Sequence, residues 1–225
     1  LVARDGSATL IVAEILDQGL SQATYDEMLA ISREHDLREG VEDHVAGVGA
    51  ISGFLGTYID NDATRLNPLT AVVITLVLVL AFRSVAGAIL PNLIVMATAA
   101  AALGLMSAFG ISFFVITNGL LPILIGIAVA DSIHVLSEYY AMAAADPEAN
   151  RRGHVVRAMA RMFRPITLTT LTTIAGFMGL YIGAEMPPMQ YFGLFAAIGV
   201  AAAWLYTILL LPAAITLIPV KPSKA

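Results

Sequence analysis

Apolar and polar residues along this chain are patterned on two length scales, and the change between them falls near Pro68. Before it, the apolar runs are short. Ala8 to Leu16 (ATLIVAEIL) is a β-branched run of strand length behind a turn signal, Arg4-Asp5-Gly6-Ser7. Thr24 with Glu27 three residues later fits a capping box, and Tyr25, Met28, Leu29, Ser32 and His35 recur at helical spacing up to the breaker Gly40. Val41 to Val48, with Gly47 and Gly49 as punctuation, has the length of a second strand. The pattern predicts a small α+β piece, strand-helix-strand, over residues 1–60. Such a piece is too small to hold a core by itself and needs further sequence to pack on.

After Pro68 the apolar runs reach membrane scale, and the pattern predicts a polytopic helical bundle over 61–220, so the fold class is mostly α. Five transmembrane helices are expected, at about 62–82, 85–109, 113–140, 165–183 and 189–218. The second is rich in Ala, Gly and Ser, as suits helices that approach closely in lipid. Asn118 and Pro122 in the third are read as a bend or an interhelical bond. Between the third and fourth spans, Val155, Val156, Met159, Met162 and Phe163 recur at helical spacing while arginines take the other face. That segment, 148–164, reads as an amphipathic helix on the membrane surface, a solvated loop being the other reading.

Charge adds an orientation. Residues 1–67 carry 4 basic and 12 acidic groups, net −8, whereas the remaining 158 of the 225 residues carry 8 basic and 5 acidic, net +3. Arg83, the cluster Arg151, Arg152, Arg157, Arg161 and Arg164, and Lys221 with Lys224 follow the first, third and fifth spans. All lie on one side if each run crosses once, and by the positive-inside rule that side is cytoplasmic. The acidic start is then periplasmic in a bacterial inner membrane. With 58% hydrophobic and 13% charged residues the chain is neither disordered nor a nucleic-acid binder, and with no cysteine it offers no disulfide or thiolate metal site. It starts at Leu1 without a signal peptide, and is read as a fragment of a longer protein.

The sharpest feature is a set of ionisable groups inside the third span. If that span leaves the hydrocarbon at Tyr140, Asp131 is roughly 13 Å deeper, near the middle of a ~30 Å core. A carboxylate there escapes a large cost only by protonation, by pairing, or by facing a hydrated cavity. Asp131, His134 and Glu138 share an arc of about 60° and form one stripe from mid-membrane to the cytoplasmic interface. That is the geometry of a proton relay, with Ser132 a further possible member, although His134 also fits a packing role and Glu138 a solvated charge. In the fourth span, Thr172 and Thr173 lie at the depth of Asp131 and are candidate partners for it; bonding back to their own helix is the alternative. No phosphate loop and no His-x-x-x-His pair is present, His35, His44 and His154 show no ligand spacing, and no second mid-membrane acid accompanies Asp131. No cofactor and no metal is expected.

Three segments together carry a resemblance: Leu80-Ala81-Phe82-Arg83-Ser84 with Ile89-Leu90-Pro91; the Gly126 to His134 segment around Asp131; and Arg164-Pro165-Ile166-Thr167 through Thr173 with Gly176-Phe177. In order and spacing the chain resembles the resistance-nodulation-division (RND) superfamily of exporters, closest to its MMPL-like and hopanoid-transporter-like branch. The likeness covers nearly the whole chain. It implies that residues 1–60 end a periplasmic porter domain and that the five spans are the second to sixth helices of an N-terminal half, with a C-terminal half as partner. It also implies export of a hydrophobic or amphiphilic substrate, lipid or drug, driven by proton influx through carboxylates of the fourth helix, with Asp131 in one such position. Many relatives have Asp-Asp or Asp-Tyr where this chain has Ala130-Asp131-Ser132, which leaves one acid to carry the proton. The expected partners are protons, membrane lipids, the substrate and the missing half, with a homo-oligomer open and nucleic acid excluded. Two other functions share these helices: a sterol-sensing-like lipid sensor, and an accessory of protein export.

Overall fold

The computed structural model describes residues 1–14, 20–34, 42–111, 113–148 and 150–217. The chain divides into two units, 1–62 and 63–225. Its helices are α1 (Ser21–Glu34), α2 (Val48–Phe82), α3 (Val85–Ala108), α4 (Leu120–Ala145), α5 (Arg151–Gly183) and α6 (Pro187–Leu217), with a 3-10 turn at Val115–Gly119 ahead of α4.

In the first unit the turn at Arg4–Ser7 forms as its residues dictate: Gly6 takes φ 70°, and the Asp5 carboxylate accepts hydrogen bonds from the Ser7 N–H at 3.1 Å and hydroxyl at 2.7 Å. Those bonds hold the Asp5 carboxyl below its ordinary range. The two strands do not form among the described residues. Only a single antiparallel bridge, Val2 to Thr9, closes the turn, and Ile11 and Val12 are exposed beyond it. A β-branched run becomes a strand by pairing along its length and by burying a face, and among the described residues this one pairs only at its start and stays exposed. Residues 42–46 are irregular and Val48 already belongs to α2, so the second strand is absent as well. α1 starts at Ser21, which puts Thr24 and Glu27 inside the helix instead of at its cap. Ile15, Leu16, His35, Gly40 and Val41, like Ile218, Lys221 and Lys224 at the other end, lie outside the described residues.

Among its described residues the second unit holds five helices long and apolar enough to cross a membrane: Thr64–Phe82, Gly87–Ala108, Ile116–Ala145, Arg151–Gly183 and Pro187–Leu217. One boundary differs from the sequence reading. The expected surface helix at 148–164 and the fourth span are one helix, α5, of 33 residues. It is roughly 50 Å long, against about 30 Å for a hydrocarbon core. Pro165 stays inside α5 because only one backbone bond is lost there. Pro122 sits in the first turn of α4, where its missing N–H has no partner within the helix to lose.

Small residues set the packing. α6 presents Gly193, Ala196, Ala197, Gly199, Val200, Ala203, Thr207, Leu211 and Ile215 as its buried stripe. Against it α5 runs antiparallel, in a register marked by ring contacts Phe177–Phe192 and Phe163–Trp204 and by a hydrogen bond of 3.0 Å from Trp204 Nε1 to Thr167 Oγ1. α3 and α4 fill the rest of the core with Leu90, Ile94, Ala128, Val135, Leu136 and Tyr139 towards the arginine-rich end, and Ala102, Met106, Leu120 and Leu124 towards the other. α2 buries Leu78 against Ala88 and Val129, and Asn92 donates to Thr75 Oγ1 at 3.0 Å.

The tight turn from α2 to α3 rests on two backbone features. Arg83 takes the left-handed conformation, φ 46°, and the hydroxyl of Ser84 caps α3 by accepting from the Gly87 N–H at 3.3 Å. Ser84→Ala is expected to lower stability by about 1 kcal/mol, read as the unfolding midpoint in detergent, whereas Ser84→Thr keeps most of it.

Candidate functional site

Asp131 sits close to the midpoint of α4, on the face turned towards α5. It is 6% exposed, and its Oδ2 is buried and meets no hydrogen-bond partner among the described residues. Beside it, between α4 and α5, lies a cavity of ≈ 320 Å³. From α4 it is lined by Ile127, Ala130, Asp131 and His134, and from α5 by Met162, Pro165, Ile166, Thr169, Thr170 and Thr173. The sequence dictates this lining: positions 127, 130, 131 and 134 fall on one side of a 3.6-residue helix, and so do 162, 165, 166, 169, 170 and 173.

The structure brings some of the sequence candidates together and separates others. Asp131, His134 and Thr173 line one cavity. Thr172 does not; it is exposed, one residue off the lining face, and its hydroxyl donates to the Thr169 carbonyl at 2.8 Å. Thr173 also donates to the Thr169 carbonyl, at 2.8 Å, so the self-bonded reading describes both threonines and neither gives its proton to Asp131. Ser132 is buried on another face of α4 and donates to the Ala128 carbonyl at 2.8 Å. Glu138 is paired: its Oε1 accepts from Arg161 Nη1 at 2.8 Å, with the carboxylate side chain 19% exposed. Asn118 lies in the 3-10 turn ahead of α4.

Thr170 is the residue that sequence reasoning missed. It lines the cavity, is 4% exposed, and its Oγ1 is buried with no hydrogen-bond partner among the described residues, like Asp131 Oδ2. Depth along α5 pointed to Thr172 and Thr173. The helical period from Met162 through Ile166 and Thr169 points to Thr170 and Thr173, and that was the usable signal. The cavity is therefore lined by a carboxyl, an imidazole and three threonines in mid-span, among apolar walls. Such a set can take up a proton, hold water, and pass the proton along α4.

At the arginine-rich end of the same groove, Arg157 Nη2 stands 3.7 Å from Asp146 Oδ2 and 3.1 Å from Nδ1 of the buried His154. Arg151 donates to the Thr216 carbonyl at 3.3 Å, tying the start of α5 to the end of α6.

Comparison with known proteins gives two findings. The family model described as the MMPL family matches residues 1–223. The chain is 23% identical over 206 residues to the "Putative membrane protein MJ1562" of Methanocaldococcus jannaschii, an alignment covering 89% of this chain and 51% of that protein. The chain thus spans about half the length of the curated relative it matches.

Proposed function

The chain belongs to the MMPL family, and from that premise we propose that it is one half of a proton-driven exporter in which Asp131 takes up and releases the proton. One observation carries this reading: a carboxyl group midway along a helix long and apolar enough to cross a membrane, with a buried oxygen that meets no donor among the described residues, lining a cavity it shares with His134 and Thr170. A structural carboxylate in lipid is held by donors. One that changes its charge needs room, polar neighbours and no permanent partner.

In this proposal the proton travels along the α4 stripe. His134 relays between Asp131 and the groove towards Glu138, while Thr170 and Thr173 hold the water that bridges them. The arginine-rich ends face the cytoplasm and the acidic first unit faces the periplasm of a bacterial inner membrane. The cargo is hydrophobic or amphiphilic, a lipid or a drug, and the remaining sequence supplies the rest of the route.

The test is proton flux. The full-length protein, reconstituted in sealed vesicles containing a pH-sensitive dye, is expected to dissipate an imposed proton gradient faster when an exportable amphiphile is present. Binding of the amphiphile with no change in flux would reject the pump and favour a sensor.

A further inference from the structure

The α4–α5 groove has a second cavity, of ≈ 460 Å³, nearer the arginine-rich end, where the proton stripe of α4 ends at Glu138. Three alanines and Met142 make its apolar walls. Its charged lining is Glu138 and Asp146 from one side and Arg157 and Arg161 from the other. Two guanidiniums face two carboxylates, so the lining is formally neutral but strongly dipolar.

These charges are engaged with one another without being used up, and Arg157 is steadied besides by His154 Nδ1 at 3.1 Å and by the Gly153 carbonyl at 3.4 Å. Arg161 reaches Glu138 through Nη1 at 2.8 Å, and its side chain is 70% exposed, which leaves its other N–H groups open. The Arg157–Asp146 pair is longer, 3.7 Å, and about half exposed on both sides. Exposed ion pairs of this kind are weak and exchange readily for equivalent partners. The cavity also lies where the charged side chains of α4 and α5 leave the apolar segments, at the level of lipid headgroups.

We infer that this cavity binds the headgroup of a zwitterionic phospholipid of the phosphoethanolamine class, with the phosphate on Arg157 and Arg161 and the ammonium on Glu138 and Asp146. Charge complementarity selects the class. A zwitterion exchanges two internal ion pairs for two new ones and leaves the cavity neutral. An anionic headgroup takes up the two guanidiniums and leaves Glu138 and Asp146 without a cation in the lining. A choline headgroup has the right charges but no N–H to donate. Glycerol and the first methylenes rest on the alanine walls, and arginine forks suit phosphate oxygens.

Native mass spectrometry of the full-length protein, purified with an equal mixture of phosphatidylethanolamine, phosphatidylcholine and phosphatidylglycerol, reads the preference directly. Retention of phosphatidylethanolamine is expected to exceed that of either competitor by about tenfold, near the lower end of what a hydrogen bond to a charged group contributes. Glu138→Gln should erase the advantage over phosphatidylcholine, and Arg161→Gln should lower retention of all three. Inorganic phosphate, lacking the ammonium and the chains, should displace none of the lipid. Asp131→Asn should keep the preference, so the outcome does not depend on the proton role of that residue. Equal retention of ethanolamine and choline lipids by the unmodified protein, tightest retention of the glycerol lipid, or displacement by inorganic phosphate alone would each overturn the assignment.

Discussion

Asp131→Asn in the full-length protein is expected to reduce proton-coupled transport to background while the bundle stays folded. Asparagine keeps the size and shape of the side chain and takes away only its capacity to change charge. Among the described residues none donates to the Asp131 Oδ2, so the neutral amide replaces no ion pair there and leaves no partner stranded. Stability in detergent should therefore hold or rise, and a fall in transport cannot be blamed on misfolding. Asp131→Glu keeps a titratable group, and a cavity of ≈ 320 Å³ has room for one more methylene, so partial transport with an altered pH dependence is expected. His134→Asn should slow the flux without abolishing it, because water can take over a relay step. Transport by Asp131→Asn with the pH dependence of the unmodified protein would remove the carboxyl group from the mechanism.

The second large effect is structural. At Gly193 an added Cβ would stand 2.7 Å from the Phe177 carbonyl oxygen and 2.8 Å from the Tyr181 nitrogen. Both are backbone atoms of a facing helix and cannot turn aside. Gly193→Ala must push α5 and α6 apart, at a cost of about 1–3 kcal/mol, and Gly193→Leu costs more. Gly199 makes an informative control. There the added Cβ meets Leu124 side-chain carbons at 2.6 Å, and a leucine can change rotamer, while alanine gains about 1 kcal/mol of helix propensity over glycine. Gly199→Ala should be near neutral. Unfolding midpoints in detergent decide the matter, and equal effects at the two glycines would show that the α5–α6 approach is looser than the distances imply.

How much of this was legible in the sequence depended on the length scale of the signal. The five crossings were readable because each is a long apolar run, and hydropathy over some 20 residues needs no knowledge of tertiary contacts. The strands at 8–16 and 41–48 were not, because strand formation depends on a partner and a local β-branched run cannot say whether one exists. The break placed between 164 and 165 came from reading Arg164-Pro165 as a boundary, yet a helix absorbs one proline when its neighbours hold it. At the candidate site, Asp131 was legible from composition alone, as a charge in an apolar run. Its α5 neighbours were half legible: depth gave Thr173, and only the helical face separates Thr170, inside the cavity, from Thr172, outside it.

The two sides of α5 differ in how they resist movement. Towards α6 it is keyed by Gly193 and by the Trp204–Thr167 bond; towards α4 the seam is interrupted by open clefts of ≈ 320 and ≈ 460 Å³. Hollow contacts forfeit dispersion energy and give way first. We therefore expect α5 and α6 to swing as one plank, with α4 as the doorpost. Spin labels across the α4–α5 seam should change separation between acid and neutral pH, while a pair across α5–α6 stays fixed.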